Sequence, residues 1–466
     1  MALELLQHQR EGIEWIRTVK RGLLGDEPGL GKSRQAIEAF DGGRNLIIAP
    51  AMVINGGTWH DELERWASNP GNWTVLPYSG LNARVKTSKG GYAASSELVE
   101  AARGHWDAVV LDEAHYVKGR NTYWTKTAQT VGKNSDHVLA MTGTPIPNWA
   151  HELFTLVQLA HPEEAQSKPG FKAKYGNYWN WVNAWFHVEL AHFGGQNNRV
   201  IGKLLDCTAE CYLKPLTEPC EHYHRFMEEN LGPQFLRRLR EDCLDLPPVT
   251  TQQVLTPMDA AQKKIYKDMK QHYLAEVEDQ EIIKWTDGAR HVALDKISIS
   301  PWLLNPVGDP KGGKFEQLRY DLAGRSRPTL VLAHYRDTVD ACVRVAESVG
   351  ASAACVRGGM TGRQQGQAIQ AFKDGKLDVL VGSLETVAEG LQLTVADMAI
   401  FVETSYKPYR NEQARNRVHR LGQTRPVTIR DYVTPDSVDE KKRELLREKT
   451  EDQIRFMSAG DFKRLL

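Results

Sequence analysis

The run GDEPGLGKS, residues 25–33, ends in a lysine and a serine and leads into an amphipathic stretch, RQAIEAF. Gly29 and Gly31 would let the backbone fold around phosphate oxygens with its N–H groups directed inward, and the following helix would add the partial positive charge of its N-terminus. Lys32 would then reach the β and γ phosphates of a nucleotide, and the Ser33 hydroxyl would ligate Mg²⁺. Asp26 stands where the general pattern has glycine, and a plain glycine-rich turn is the competing explanation.

Two further stretches carry chemistry of the same kind. The apolar run AVVL (108–111) is followed by Asp112, Glu113, Ala114 and His115. A carboxylate at the C-terminal end of a parallel strand stands where open α/β sheets bind ligands. There Asp112 could hold the same Mg²⁺ and Glu113 could orient and deprotonate a water. After VLAM (138–141) come Thr142, Gly143, Thr144 and Pro145, small and hydroxyl-bearing residues suited to sensing a γ-phosphate. An acidic strand end and a simple turn remain the duller alternatives for each stretch alone. Their occurrence in one domain, each beside an apolar run, favours a single phosphate site.

A fourth constellation lies far downstream in QARNRVHRLGQ, residues 413–423. On a helix, Gln413, Arg417 and Arg420 would share one face while Arg415 points elsewhere. Stacked guanidinium groups repel unless an anion lies opposite, and the planar fork of arginine suits phosphate. A solvated basic helix would show the same residues.

The elements that must position these groups follow from hydrophobic patterning. Short apolar runs at 46–50, 108–111 and 138–141, each near amphipathic stretches, read as buried parallel strands. A second series begins with TLVLAHY at 329, DVLVGS at 378, MAIFVE at 398 and VTIRDYV at 427. The expected fold class is α/β, with two doubly wound parallel-sheet lobes and helical insertions. The expected divisions are an ATP-binding lobe over 1–160, mostly helical insertions and a linker over 161–310, a second lobe over 311–435 and an exposed C-terminal bracing helix over 436–466. In that helix the charges are spaced for i, i+4 pairing around Leu445, Leu446 and Ile454, and one narrow face is expected to pack.

Composition sets limits. The chain has 466 residues, with 41% hydrophobic and 25% charged residues, the balance of a globular protein of two or three domains. Lysine plus arginine equals aspartate plus glutamate, 59 each, so attraction to a polyanion would come from local patches. The N-terminus lacks the pattern of a secretory signal and no apolar run approaches membrane-spanning length. Six cysteines are too sparse for a disulfide scaffold. A cytoplasmic or nuclear location without membrane association is expected.

Taken together, these motifs resemble those of the Swi/Snf family, the double-stranded DNA translocases among the superfamily-two helicase-like ATPases. LLQHQREGIEWI resembles the family's glutamine motif, which implies that Gln9 reads adenine. GDEPGLGKS resembles motif I, where the family also has aspartate at the place of Asp26. LIIAPAMVINGGTWHDELERW, with Trp59 and Trp66, resembles motif Ia; LDEAHYVKG resembles motif II, and MTGTPIPN, ending at Asn148, motif III. FLRRLREDCLDLPP resembles the segment joining the lobes, VAEGLQLTVAD with Gly390 resembles motif V, and NEQARNRVHRLGQTRPV resembles motif VI.

The resemblance implies RecA-like lobes, ATP and Mg²⁺ as cofactors, and double-stranded or branched DNA as a partner held by its backbone, with the chain acting as a monomer. It implies that His115, Thr142, Thr144 and Gly390 couple the sites, that Gln413 belongs to the nucleotide site, and that Arg417 and Arg420 reach the γ-phosphate bound by the other lobe. Alternatives on the same core are a strand-separating or fork-remodelling helicase and an ATP-switched DNA-binding scaffold. Gln392, Glu403 and the stretch YKPYRNEQ depart from the family pattern in ways that touch DNA coupling more than hydrolysis.

Two weaker signals complete the sequence. Cys207, Cys211, Cys220, His222 and His224 could offer zinc ligands, but their spacing fits no regular zinc pattern, so buried thiols and surface histidines are the preferred explanation. The aromatic run from Tyr175 to Phe186 could stack on bases, but it suits the core of a helical protrusion better.

Overall fold

The computed structural model describes residues 4–55, 57–82, 84–86, 92–94, 96–146, 149–161, 176–193, 196–208, 210–211, 214, 218, 220–277, 280–284, 286–388, 393–420 and 422–459. The chain divides into two compact units, one of residues 1–244 with 449–466 and one of residues 245–448.

The first unit is built on a six-stranded sheet in the order β10-β1-β7-β6-β2-β3. Its strands are β1 (Arg21–Leu24), β2 (Asn45–Ala49), β3 (Trp73–Pro77), β6 (Trp106–Asp112), β7 (Ser135–Met141) and β10 (Phe235–Leu236), and all their pairings are parallel. Successive residues of each strand enter opposite cores. Leu46, Ile48, Val109 and Leu111 pack on one face, and Ile47, Ala49 and Val110 on the other. Continuous apolar runs are required because both faces are covered, which is the doubly wound arrangement. Two antiparallel hairpins accompany the sheet, β4 (Arg84–Lys86) with β5 (Tyr92–Ala94) and β8 (Phe186–Phe193) with β9 (Gln196–Leu204).

The second unit repeats the plan with the order β11-β18-β17-β14-β16-β15, again wholly parallel. These strands are β11 (Val249–Leu255), β14 (Thr329–Ala333), β15 (Ala353–Val356), β16 (Val379–Ser383), β17 (Met398–Phe401) and β18 (Val427–Val433), beside a hairpin of β12 (Leu274–Val277) and β13 (Gln280–Ile283). Val331, Val381 and Ile400 face one core, and Leu330, Leu380 and Phe401 the other. The chain therefore has the expected α/β class, with two RecA-like doubly wound lobes.

One expectation needs correction and another gains detail. The stretch 161–310 is not only helical: it holds two hairpins, and it supplies β10 to the first sheet and β11 to the second. The C-terminal helix, Val438–Ala459, buries a narrow face that includes Asp439, Lys442 and Leu446 and exposes Glu440, Lys441, Glu444 and Arg447, as expected, but the buried face carries charges. Its Asp439 pairs with Lys314 at 2.7 Å and its Lys442 with Asp295 at 2.8 Å, with all four side chains buried. Charges so placed persist only when partnered, so these pairs fix the helix in place more than they stabilise it. The aromatic run resolves as core: Trp181, Trp185 and Phe186 are buried among Phe154 and Phe226, while Tyr175 lies outside the described residues. Among the described residues, no helix is long and apolar enough to cross a membrane.

Candidate active site

The sheet order places β1, β7 and β6 side by side, so the loops that leave their C-terminal ends meet. After β1, Gly29 (φ 97°) and Gly31 (φ 76°) take left-handed conformations that bring the chain round to the first turn of α2 (Lys32–Ala39). A side chain is excluded at Gly31 twice over, by its dihedral and by Gln9 Nε2, which would lie 2.3 Å from a Cβ. Gln9, on α1 (Gln7–Thr18), is thus laid against the loop: its Oε1 accepts from Leu6 N at 3.1 Å and its Nε2 faces Leu30 O at 3.5 Å.

Lys32 folds back over the loop, donating from Nζ to Asp26 O at 2.6 Å and Glu27 O at 3.3 Å. Burial lowers its pKa, against the pull of Glu113, Asp26 and Asp112. Ser33 follows on the same helical turn.

Asp112 closes β6. Its Oδ2 accepts from Trp59 Nε1 at 3.0 Å, its Oδ1 from Glu113 N at 3.0 Å, and its carbonyl from Tyr78 OH at 2.8 Å. Glu113 adopts φ 48°, a left-handed conformation that carries strain in a residue with a side chain. Its Oε2 lies 3.3 Å from His115 Nδ1 and accepts from Thr142 Oγ1 at 3.5 Å, while His115 Nδ1 and Thr142 Oγ1 are 3.1 Å apart. Thr144 N donates to Thr142 Oγ1 at 3.1 Å, and a Cβ at Gly143 would lie 2.8 Å from Pro28 Cδ, so the third loop abuts the first. Lys32, Ser33, Asp112, Glu113, His115, Thr142 and Thr144 are thereby gathered at one sheet edge.

Burial, followed by the charge of Glu113, pushes the Asp112 carboxyl up to about 7. Two carboxylates beside a single lysine make a site that a divalent cation would relieve, so the residues fit Mg²⁺. The sign follows directly. An acid whose pKa is raised in the folded state adds stability below its unfolded value near 4, and that contribution is lost as pH rises to about 7. Cation binding needs the carboxylate, so protons compete with Mg²⁺ below pH 7. The Mg²⁺-dependent part of nucleotide affinity is expected to fall about tenfold per pH unit there. Calorimetric titrations with Mg·ADP at several pH values would register this slope, and Asp112→Asn should flatten it.

A feature that spacing could not show lies beneath the loop. Asp26 is fully buried, and Arg238 grips it with Nε to Oδ1 at 3.0 Å and Nη2 to Oδ2 at 2.5 Å. Gln35 joins both, donating to Asp26 Oδ2 at 3.2 Å and accepting from Arg238 Nη2 at 2.7 Å, and Arg238 also donates to His8 O. Arg237 donates to Gly25 O at 3.0 Å, and Arg240 N to Glu27 Oε2 at 3.0 Å. The arginine-rich stretch after β10 therefore holds the phosphate loop from below. The paired arginines of FLRRLRE were the available signal, but nothing in sequence named their partner.

In the second unit the expected continuous helix is shorter. It runs from Pro408 to Arg415, and residues 416–420 continue as turns in which Arg417 N donates to Ala414 O at 3.2 Å and Val418 N to Arg415 O at 3.2 Å. Gln413, Arg417 and Arg420 consequently do not share one helical face. Gln413 is buried, Arg417 donates to Ala388 O, and Arg415 pairs with Asp431 at 2.6 Å. Gly390 and Asn148 lie outside the described residues. Glu403 is buried and accepts from His334 N at 2.6 Å and Tyr335 N at 3.0 Å, with burial raising it to about 7.

Comparison with known proteins decides the family: the SNF2-related domain matches residues 8–295, and the helicase conserved C-terminal domain matches residues 313–422. The chain belongs to the SNF2-related family. Family members similar to it include the SWI/SNF chromatin-remodeling complex subunit snf22 of Schizosaccharomyces pombe, 26% identical over 98% of this chain and 28% of that protein. The human DNA annealing helicase and endonuclease ZRANB3 is 24% identical over 94% of this chain and 39% of its own length. This SNF2-related chain thus spans well under half the length of either of these relatives. The solved Sulfolobus solfataricus SWI2/SNF2 ATPase core in complex with dsDNA is 18% identical, covering 99% of this chain and 94% of that one, at a TM-score of 0.39.

Proposed function

We propose that this chain is an ATP-driven translocase on double-stranded DNA, in which hydrolysis drives movement along the duplex and so remodels protein–DNA or branched DNA structures. The convergence of Lys32, the Asp112–Glu113 pair and Thr142 at one sheet edge carries this reading. Family membership supports it, as do the relatives named for chromatin remodelling and DNA annealing.

Bound Mg²⁺ would neutralise phosphate charge and orient the terminal phosphoryl group. Ser33 and Asp112 are the residues to hold it, and the amides between Gly29 and Ser33, with Lys32, those to hold the phosphates. Gln9, already against Gly31, reads the base. Glu113 orients the attacking water and takes its proton. Its contacts with His115 and Thr142 offer a route by which a change at the phosphate reaches the loop after β7. Arg417 and Arg420 supply positive charge to the γ-phosphate, and Gln413 supports them. Duplex contacts made mainly to phosphates would weaken as salt rises.

Displacement of a third strand from a DNA triplex tests the proposal. The chain should release that strand only while it hydrolyses ATP, without separating the underlying duplex. Strand separation instead would assign a helicase, and hydrolysis without displacement an ATP-switched scaffold.

A further inference from the structure

Away from the phosphate site, three thiols and an imidazole meet at the end of the aromatic core. Cys207 follows β9, and Cys211 lies in the short helical turn after it, its amide donating to Thr208 O at 3.1 Å. Cys220 is the N-cap of the helix Glu221–Asn230, and His222 lies in that helix's first turn. The four ligand atoms, three Sγ and Nδ1 of His222, all fall within 4.8 Å of one another.

The separations match one tetrahedral ion. With Zn–S of about 2.3 Å and Zn–N of about 2.0–2.1 Å, tetrahedral angles require S···S of about 3.8 Å and S···N of about 3.5 Å. Observed are 3.6 Å between the sulfurs of Cys207 and Cys220, 3.5 Å from Cys220 Sγ to His222 Nδ1, and 3.7 Å from Cys211 Sγ to His222 Nδ1. A disulfide would use two of these sulfurs and leave the third thiol and the ring beside it unexplained. The surroundings are built: Cys220 is buried with Tyr223 and Phe226, Cys207 and Cys211 pack against the same core, and Arg455 donates to Cys211 O at 3.3 Å. Sequence spacing argued against zinc because the ligands leave two separate turns, which only the fold brings together. His224 is outside the converging set.

We propose that Cys207, Cys211, Cys220 and His222 bind one zinc ion as a structural site. Thiolate and imidazole ligands select zinc over the hard cation of the nucleotide site, and four protein ligands leave no open position for catalysis. The ion ties the turn after the β8–β9 hairpin to the helix Glu221–Asn230 and closes the end of the core.

Elemental analysis of the full chain, purified without chelator or metal resin, should find one zinc per chain. Removal under reducing conditions followed by cobalt(II) should give the absorption of a tetrahedral thiolate site. Cys211→Ser and His222→Ala should each lose the stoichiometric metal, whereas Cys243→Ser and Cys355→Ser should retain it. Should the first two variants fail to fold, the metal content and cobalt spectrum of the unaltered chain decide. A chain without stoichiometric metal and without that cobalt spectrum, or a Cys207–Cys220 disulfide found by peptide mapping, would overturn the proposal.

Discussion

Arg420→Ala is expected to bind Mg·ATP about as tightly as the unaltered chain and to hydrolyse it on the order of 10³-fold more slowly, the usual scale for removing an arginine that meets transition-state charge. Arg420 lies in the turns after the helix Pro408–Arg415, with its carbonyl accepting from Gln423 N at 2.9 Å. A short, bonded turn can carry a guanidinium to a phosphate with less lost freedom than a free loop. Arg415, two positions before Arg417, pairs with Asp431 and lies over the ring of Phe401 at 4.8 Å. Single-turnover hydrolysis alongside fluorescent-nucleotide binding separates the two effects. Arg420→Lys should rescue little, because a point charge cannot replace a planar fork. An unchanged rate would remove Arg420 from the reaction.

The second large effect concerns the support of the phosphate loop. Arg238→Ala should destabilise the first unit by about 3–5 kcal/mol, because Asp26 would be left charged, buried and without its principal partner. Asp26 and Arg238 are 0% and 8% exposed, and Gln35 and His8 O complete the node, so water cannot readily replace the lost guanidinium. The paired change Asp26→Asn with Arg238→Met should recover much of the loss, since removing both charges removes the desolvation penalty as well. Urea unfolding of the unaltered chain and the two variants measures this. A loss below about 1 kcal/mol for Arg238→Ala would mean that the pair behaves as a solvated surface bridge.

Much of the site was legible because it is local. The acidic pair and the hydroxyl turn each follow an apolar run that reads as a strand, the phosphate loop leads into an amphipathic helix, and parallel strands buried on both faces must deliver their C-terminal loops to one edge. What escaped is long-range. Arg238 and Asp26 are separated by 212 positions, and only the pairing of β10 with β1 brings them together. Tyr78, which donates to the Asp112 carbonyl, carries no motif of its own. The helix bearing Gln413 stops at Arg415 although residues 416–420 lack proline, because tertiary bonds such as Leu393 N to Arg417 O, 3.1 Å, compete with its continuation. The meeting of Cys207, Cys211, Cys220 and His222 is long-range in the same way, since the end of a hairpin and the start of a helix bring them together.

The most direct test of coupled movement on DNA records ATP consumption and third-strand release from a triplex in one reaction, at low and at moderate salt. Release that rises with ATP consumed, weakens as salt rises and disappears with Lys32→Ala is the expected result. Hydrolysis that duplex DNA leaves unchanged, with the third strand still in place, would contradict it.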